Sequence, residues 1–429
     1  MFTGHLLEDC IGQQPVPAAP GESSPPKFWE RARRRLPVRL FKNFILLPLI
    51  GAILSGMVIG RLADIFLGAK TYVVYVAGNS SDPSTNDMLN AADGDISDAL
   101  NGISVKVTVR DDFGDPGKAE AVAEEIVHRS DVLMVVGHGS STATQRALPI
   151  YLHANPPVPV VLTTDTNPRL YSPTPPNDPT VTPVFRLFPT DVDQAREAAE
   201  FVSKQNPRAV WIIEDDGNPT YSHFLASEFL KDADELKPSL PVLLWSTNLN
   251  LPPYANDKLG IDWVFFAGSW RSALIAIRQL RAMPGTSGAN VLLSDAAVDA
   301  QLYQTGGRDV EGAYLLFPLA VKDFNTNQYK VVGEEALSLT RALVHQGAEN
   351  FSRYAMKNAP IGYFVRELLG LRRVSDARRV ISQVMTTAVV NGTSLAPGVV
   401  MEKKDGFVVR KDARFHVWKV KNQQFVPGE

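Results

Sequence analysis

Three hydroxyl side chains stand in a row in VVGHGSSTATQRALPIYL, where Ser140, Ser141 and Thr142 follow an apolar run and precede a helical pattern. Ser and Thr at a helix start ordinarily satisfy orphan backbone N–H groups. The same free donors, together with the helix dipole, suit a small anion. Other apolar runs end in the same way. VPVVLTTDTNP delivers Thr163, Thr164, Asp165, Thr166 and Asn167, and WIIEDDGNPTY delivers Asp215, Asp216 and Tyr221. FFAGSW delivers Ser269 and Trp270, and LLSD delivers Asp295. A carboxylate beside a tyrosine and a threonine hydroxyl suits an ammonium group. A molecule with both charges on one carbon, an α-amino acid, satisfies both halves at once. Each residue alone also has a plain structural reading: Ser141 as a helix cap, Asp295 as an Asx turn, Tyr221 as a rim aromatic.

The elements that must position these residues repeat along the chain. TYVVYVAG, ISVKVTVR, DVLMVVG and VPVVLTT read as strands, the apolar ones as buried strands, with helical stretches between them, of which KAEAVAEEIVHR and TATQRALPIYLHAN are the clearest. After a Pro-rich link, SPTPPNDPTVTP, the cycle resumes through QAREAAEFVSKQ, AVWIIED, YSHFLASEFLKDADEL, PVLLWST, DWVFFAG, SALIAIRQLRAM, NVLLSD and GAYLLFPLAV. Continuous apolar strands alternating with helices predict parallel sheets covered on both faces. Ligands of such sheets bind just past the carboxyl ends of strands, where the polar residues above fall. Late helices follow in EEALSLTRALVHQ, IGYFVRELLGL and DARRVISQVMTTAV, and GFVVRKDARFHVWKV reads as an antiparallel pair. Two consecutive α/β sets predict two lobes around a cleft.

Composition excludes several classes of function. A net charge of -3 argues against a nucleic-acid surface. Cys10 is the only cysteine, so no internal disulfide and no zinc-finger or iron–sulfur site is expected. The seven histidines show no HxxxH or HExxH spacing, and no metal site is expected from them. Asp111, Asp112 and Asp115 lack the later glutamate and glycine pattern of a calcium loop and read as turn and cap residues. QTGGRDVEG has no following GK[ST] and is no phosphate loop. No nucleophile–His–acid order stands at the strand ends, so the chain reads as a non-enzyme with no catalytic residues and no cofactor.

The first seventy residues differ from the rest. Residues 11–27 are rich in Pro, Gly and Ser and read as disordered. ERARRRLPVRLFK then gathers Arg31, Arg33, Arg34, Arg35, Arg39 and Lys42 directly before NFILLPLIGAILSGMVIG, which carries no charge from Asn43 to Gly60. The run is at the short limit for a membrane span, and the basic flank orients it with the N-terminus in the cytoplasm. A cleaved signal peptide needs a small-residue cleavage site that GMVIGRLADIF offers poorly, and a lipoprotein needs a cysteine after the run. The reading is a cytoplasmic basic tail at 1–42 and a single-pass anchor at 43–67. The remainder is then exported, periplasmic or extracellular.

The stretch from VRDDFGDPGKAEAVAEEIV through DVLMVVGHGSSTATQRALPIYLHANPPVPVVLTTDTNPRL resembles the leucine/isoleucine/valine-binding family of type I periplasmic binding proteins. The likeness continues through FRLFPTDVDQAREAAEFV, DDGNPTYSHFLASEFL, FFAGSWRSALIAIRQLRAM and LLSDAAVDAQL, covering roughly residues 70–425. It implies two hinged lobes, each a doubly wound parallel sheet, with lobe 1 at 70–187 plus 320–392 and lobe 2 at 188–319 plus 393–429. It also implies roles for single residues. Ser141 matches the hydroxyl that takes the ligand carboxylate, Thr164 a position whose backbone holds the ligand, and Thr166 a threonine shared between amine and carboxylate. Tyr221 matches the cleft tyrosine of the second lobe, and Asp295 the acid that pairs with the ammonium. The family's second cleft tyrosine falls at Ser269, with Trp270 beside it, and the loop after the first strand is replaced by GNSSDPSTND. The candidate ligand-binding set is therefore Ser141, Thr142, Thr164, Thr166, Tyr221, Ser269, Trp270 and Asp295. The resemblance implies a small amino-acid-like ligand and an ABC transporter permease as partner. The rivals are a membrane sensor reporting to a signalling chain and a binding fold that has become an interaction protein.

Overall fold

The computed structural model describes residues 49–51, 72–92, 105–129, 131–170, 184–246, 260–318, 328–358, 394–396, 399–404, 407–411 and 413–428. The tail at 1–42, the anchor at 43–67 apart from 49–51, the Pro-rich link, and the helices read in IGYFVRELLGL and DARRVISQVMTTAV lie outside the described residues. Among the described residues no helix is long and apolar enough to cross a membrane. The chain divides into two compact units, Met1–Gly60 and Arg61–Glu429, and the second carries the fold.

The apolar runs become strands whose residues are buried on both faces. β1 (Tyr72–Gly78), β2 (Val105–Asp111), β3 (Val132–Gly137), β4 (Val160–Leu162) and β5 (Val184–Arg186) pair in parallel in the order β2-β1-β3-β4-β5. Every residue of β1 and β3 is buried, as a parallel sheet with helices on both faces requires. The second set repeats the order. β6 (Val210–Glu214), β7 (Val242–Ser246), β8 (Trp263–Ala267), β9 (Asn290–Leu293) and β10 (Tyr314–Phe317) pair in parallel as β7-β6-β8-β9-β10. In each sheet the strand order reverses beside the first strand of the set, between β1 and β3 and between β6 and β8. That reversal opens a crevice at the carboxyl ends.

The helices start where cap residues stand. α1 spans Pro83–Ala92, and α2 spans Pro116–Val127 with Asp115 as its cap and Pro116 at its first position. α3 spans Ser141–His153, α4 Asp191–Lys204 with a Thr190–Asp193 capping box, and α5 Pro219–Leu236. α6 (Trp270–Ala282), α7 (Ala300–Gly306) and α8 (Gln328–Asn358) complete the set.

The C-terminal strands depart from the sequence reading. GFVVRKDARFHVWKV does not form an antiparallel pair. β13 (Phe407–Arg410) runs parallel to β5 in the first sheet, whereas β14 (His416–Val420) runs antiparallel to β10 in the second. β11 (Ser394–Ala396) and β12 (Val399–Lys404) extend the first sheet beyond β13, and β15 (Phe425–Pro427) extends the second beyond β14. β11, β12 and β13, expected in lobe 2, thus join the first sheet, and the chain passes to the second sheet between Arg410 and His416. The other crossings fall between β5 and α4 and between β10 and α8. Phe188 and Phe317, at the first two crossings, meet edge to face with centroids 5.6 Å apart, inside a core cluster shared by both lobes.

Candidate functional site

The hydroxyl row divides its work among three residues. Ser140, extended at φ -144°, is the cap of α3, and its side chain accepts from Ala143 N at 3.3 Å. Ser141 is the first helical residue and is buried. Thr142 Oγ1 donates across the cleft to Asn218 Oδ1 at 2.5 Å. The cap reading of Ser141 therefore passes to Ser140, which leaves the neighbouring hydroxyl at the start of the helix.

Asn218 begins α5, and the contact between the two helix starts is reinforced. Thr220 Oγ1 donates to Gln145 Oε1 at 3.0 Å, and Asn167 Nδ2 donates to the Thr220 carbonyl at 2.6 Å. On the opposite rim Arg271 pairs with Asp82 at 3.1 Å. The two lobes are thus in direct contact along both edges of the cleft. Ser141 and Tyr221 stand in the first turns of the two helices that touch.

Tyr221 and Asp295, predicted as cleft residues of one lobe, do meet. The phenol donates to Asp295 Oδ1 at 2.5 Å and lies 3.1 Å from Gln194 Oε1. Asp295 also accepts from the N–H of the next residue, Ala296, at 2.9 Å, which is not the bond to the second residue on that an Asx turn requires. Burial raises the Asp295 carboxyl above the ordinary carboxylate range, against the pull of Tyr221 and Gln194. Burial and then the charge of Asp295 raise the Tyr221 phenol well above its usual value.

The remaining predicted residues divide. Thr166 is buried, its carbonyl accepts from Asp191 N at 2.9 Å, and its hydroxyl meets no partner in hydrogen-bonding geometry. Thr164 Oγ1 donates to the Gly139 carbonyl at 3.1 Å, tying its loop to the start of α3. Ser269 turns inward: its N–H and Oγ both donate to Asp215 Oδ2, at 2.9 and 2.8 Å. A hydroxyl engaged in that way closes the start of α6 within its own lobe. Trp270 lies half-buried under Arg271, 4.7 Å from ring centroid to guanidinium carbon, and its indole N–H is buried without a partner.

Three functional candidates escaped the sequence reading: Asp191, Gln194 and Arg186. Asp191 is the first residue of α4, fully buried, and neither carboxylate oxygen meets a donor in hydrogen-bonding geometry. Burial first, and then the charge of Asp295, push its carboxyl well above the usual range; Thr166 and Arg186 pull the other way. Gln194 stands one turn further along the same helix and is also buried. Arg186, at the end of β5, donates to the carbonyls of Asp165 and Asn167, the latter at 3.0 Å. Burial lowers its pKa to about 10, so it stays cationic at neutral pH. The strand-end rule would have found Asp191 had the short strand VFR been read as one.

The two α/β lobes, hydrogen-bonded to each other at the starts of α3 and α5, carry acids and hydroxyls past the carboxyl ends of their strands, where sheets of this kind bind ligands. The sequence model for the periplasmic binding protein family matches residues 72–335, and the chain belongs to that family. Its members are solute-binding proteins and not enzymes. Among solved structures, the fold is similar to a leucine binding protein of Thermotoga maritima at 18% identity and TM-score 0.57, covering 83% of this chain and 98% of that one. It is similar to a substrate-binding protein of an ABC transporter from Desulfitobacterium hafniense in complex with Leu at 14% identity and TM-score 0.60, covering 83% of this chain and 100% of that one. It is also similar to an ABC transporter solute binding protein of R. palustris in complex with 4-hydroxybenzoate, at 14% identity and TM-score 0.57, covering 84% of this chain and 96% of that one. No curated protein matches the chain.

Proposed function

We propose that the chain is an exported, membrane-tethered receptor that closes on an amino acid or a similar small zwitterion and hands it to an ABC transporter permease. The observation that carries this reading is the Tyr221–Asp295 pair, with Asp191 beside it, on the floor of a cleft whose rim is the start of α3. The acids suit an ammonium, and the helix start with Ser141 suits a carboxylate. Thr166, whose carbonyl accepts from Asp191 N and whose buried hydroxyl meets no partner in hydrogen-bonding geometry, is assigned to the ligand in this reading. Closing the lobes dries this surround and strengthens each charge contact. Leucine in the similar D. hafniense protein supports the amino-acid class, while 4-hydroxybenzoate in the R. palustris one warns that the fold takes carboxylates without an amine. The segment 43–67 supplies the tether in this reading, and the permease follows from the ABC transporter proteins of the same fold.

The direct contacts between the rims favour a second reading, in which the cleft is closed by its own side chains and the fold serves as an interaction protein. Thermal-shift screening separates the two. One or more α-amino acids should raise the melting temperature by ligand linkage, and Asp295→Asn should abolish the response. A response to amine-free acids alone would overturn the zwitterion reading, and no response to any amino acid or small carboxylate would favour the interaction protein.

A further inference from the structure

The cleft floor holds more acid than base. Asp165, Asp191 and Asp295 are all buried, and Arg186 is the only lysine or arginine among the buried described residues. With all three carboxyls ionised, one guanidinium would leave two negative charges uncompensated in dry surroundings. Proteins avoid that cost by keeping a carboxyl protonated. Asp165 has a donor on one carboxylate oxygen, Thr144 Oγ1 at 2.7 Å, and Arg186 binds its main-chain carbonyl; its Oδ2 has no partner in hydrogen-bonding geometry. Asp191 is the least satisfied of the three, with no donor in hydrogen-bonding geometry on either oxygen, and the charge of Asp295, itself engaged by Tyr221, acts on it. No group of three His, Cys, Asp or Glu among the described residues is arranged to hold a metal ion in their place.

We propose that Asp191 and Asp295 form a carboxyl pair that shares one proton in the empty protein and gives it up when the ammonium of the ligand arrives. The proposal rests on the amino-acid reading above and adds its proton balance. The ligand enters as R–NH3+, the pair passes from one carboxyl and one carboxylate to two carboxylates, and one proton leaves to solvent. The net charge of the floor is the same before and after. An acid without an amine brings no cation to replace the proton, so the pair selects for an ammonium as well as receiving it. The groups acting on the pair are Arg186 and Asp165 beside Asp191, Asp193 through Arg186, Tyr221 from α5 and Tyr329 from α8. The raised carboxyl of Asp191 agrees with a retained proton, and both tyrosines, also raised, stay neutral throughout.

Infrared spectroscopy of the full chain in detergent reads the pair without a ligand. The empty protein at about pH 6, two units above an ordinary carboxyl, should show a buried protonated-carboxyl band that Asp191→Asn and Asp295→Asn each remove. Absence of that band in a folded wild-type protein overturns the proposal whatever the protein binds. Calorimetry with L-leucine in buffers of different ionisation heat reads the exchange. Close to one proton should leave per leucine, and the dissociation constant should fall up to about tenfold per pH unit between the ordinary carboxyl pKa and the raised one. Leucine binding with no proton release and no pH dependence overturns the exchange and leaves the amino-acid reading standing. If the band is present but no amino acid binds, the amino-acid reading falls and takes the exchange with it.

Discussion

Replacing Asp191 by asparagine should stabilise the empty protein, and the gain should depend on pH in a definite direction. The side chain is fully buried, and neither oxygen meets a donor in hydrogen-bonding geometry. An unsatisfied buried polar group costs about 1–3 kcal/mol, and more when charged. Asparagine keeps the shape and brings an N–H that can face the Asp295 carboxylate. Against this, the variant loses an acid at the first position of α4, worth about 0.3–1 kcal/mol through the helix dipole. The burial cost is the larger, so a net gain of about 1–2 kcal/mol is expected near pH 8. At about 2–4 °C per kcal/mol, that is a melting temperature higher by several degrees. The sign follows from the raised carboxyl. The folded state holds a proton that the unfolded state releases, so wild-type stability falls as pH rises from about 4 to the raised folded value, and is flat beyond it. Asparagine does not titrate, so its advantage opens across that window and closes below it. Urea denaturation of both proteins at several pH values measures the difference. Parallel stability curves, or an asparagine variant that loses stability at high pH, would show that the ionised Asp191 is held by Arg186 and would refute the argument.

Other outcomes follow from the same geometry. Asp295→Ala should weaken amino-acid binding by at least tenfold more than Ser269→Ala, because the first strands an ammonium in a dry cleft while the Ser269 hydroxyl is engaged with Asp215; calorimetry compares them. Asn218→Ala removes the acceptor of Thr142 across the cleft and should destabilise the closed arrangement by about 1 kcal/mol, seen as a larger radius of gyration of the empty protein in small-angle scattering. Deleting residues 1–67 should release the protein from membranes in cell fractionation, and retention in the membrane fraction would reject the anchor.

The parts of this molecule that were legible in its sequence are those fixed by local pattern. β1 and β3 are unbroken apolar runs, and a run of that kind has few alternatives to a strand buried on both faces. Tyr221 and Asp295 were legible because the strand-end rule points at them. Asp191 was not, because Thr190 and Asp193 make a complete capping box around it and account for the acids of that turn on local grounds. Ser269 shows the limit of the strand-end rule: a hydroxyl after a strand looks the same in sequence whether it faces a ligand or, as here, donates to an aspartate of its own lobe. The pairing of β13 and β14 was illegible for a different cause. Their alternation reads as a hairpin, but their partners, β5 and β10, lie far away in sequence, and no local pattern records which strand edge is free.

The position of the ligand is the most direct test. A crystal structure of the protein grown with the amino acid that gives the largest thermal shift should place its ammonium against Asp295 and Asp191, and its carboxylate at the start of α3 beside Ser141. A ligand bound outside the contact between the lobes, or bound between them with no cationic group near either aspartate, would contradict the account.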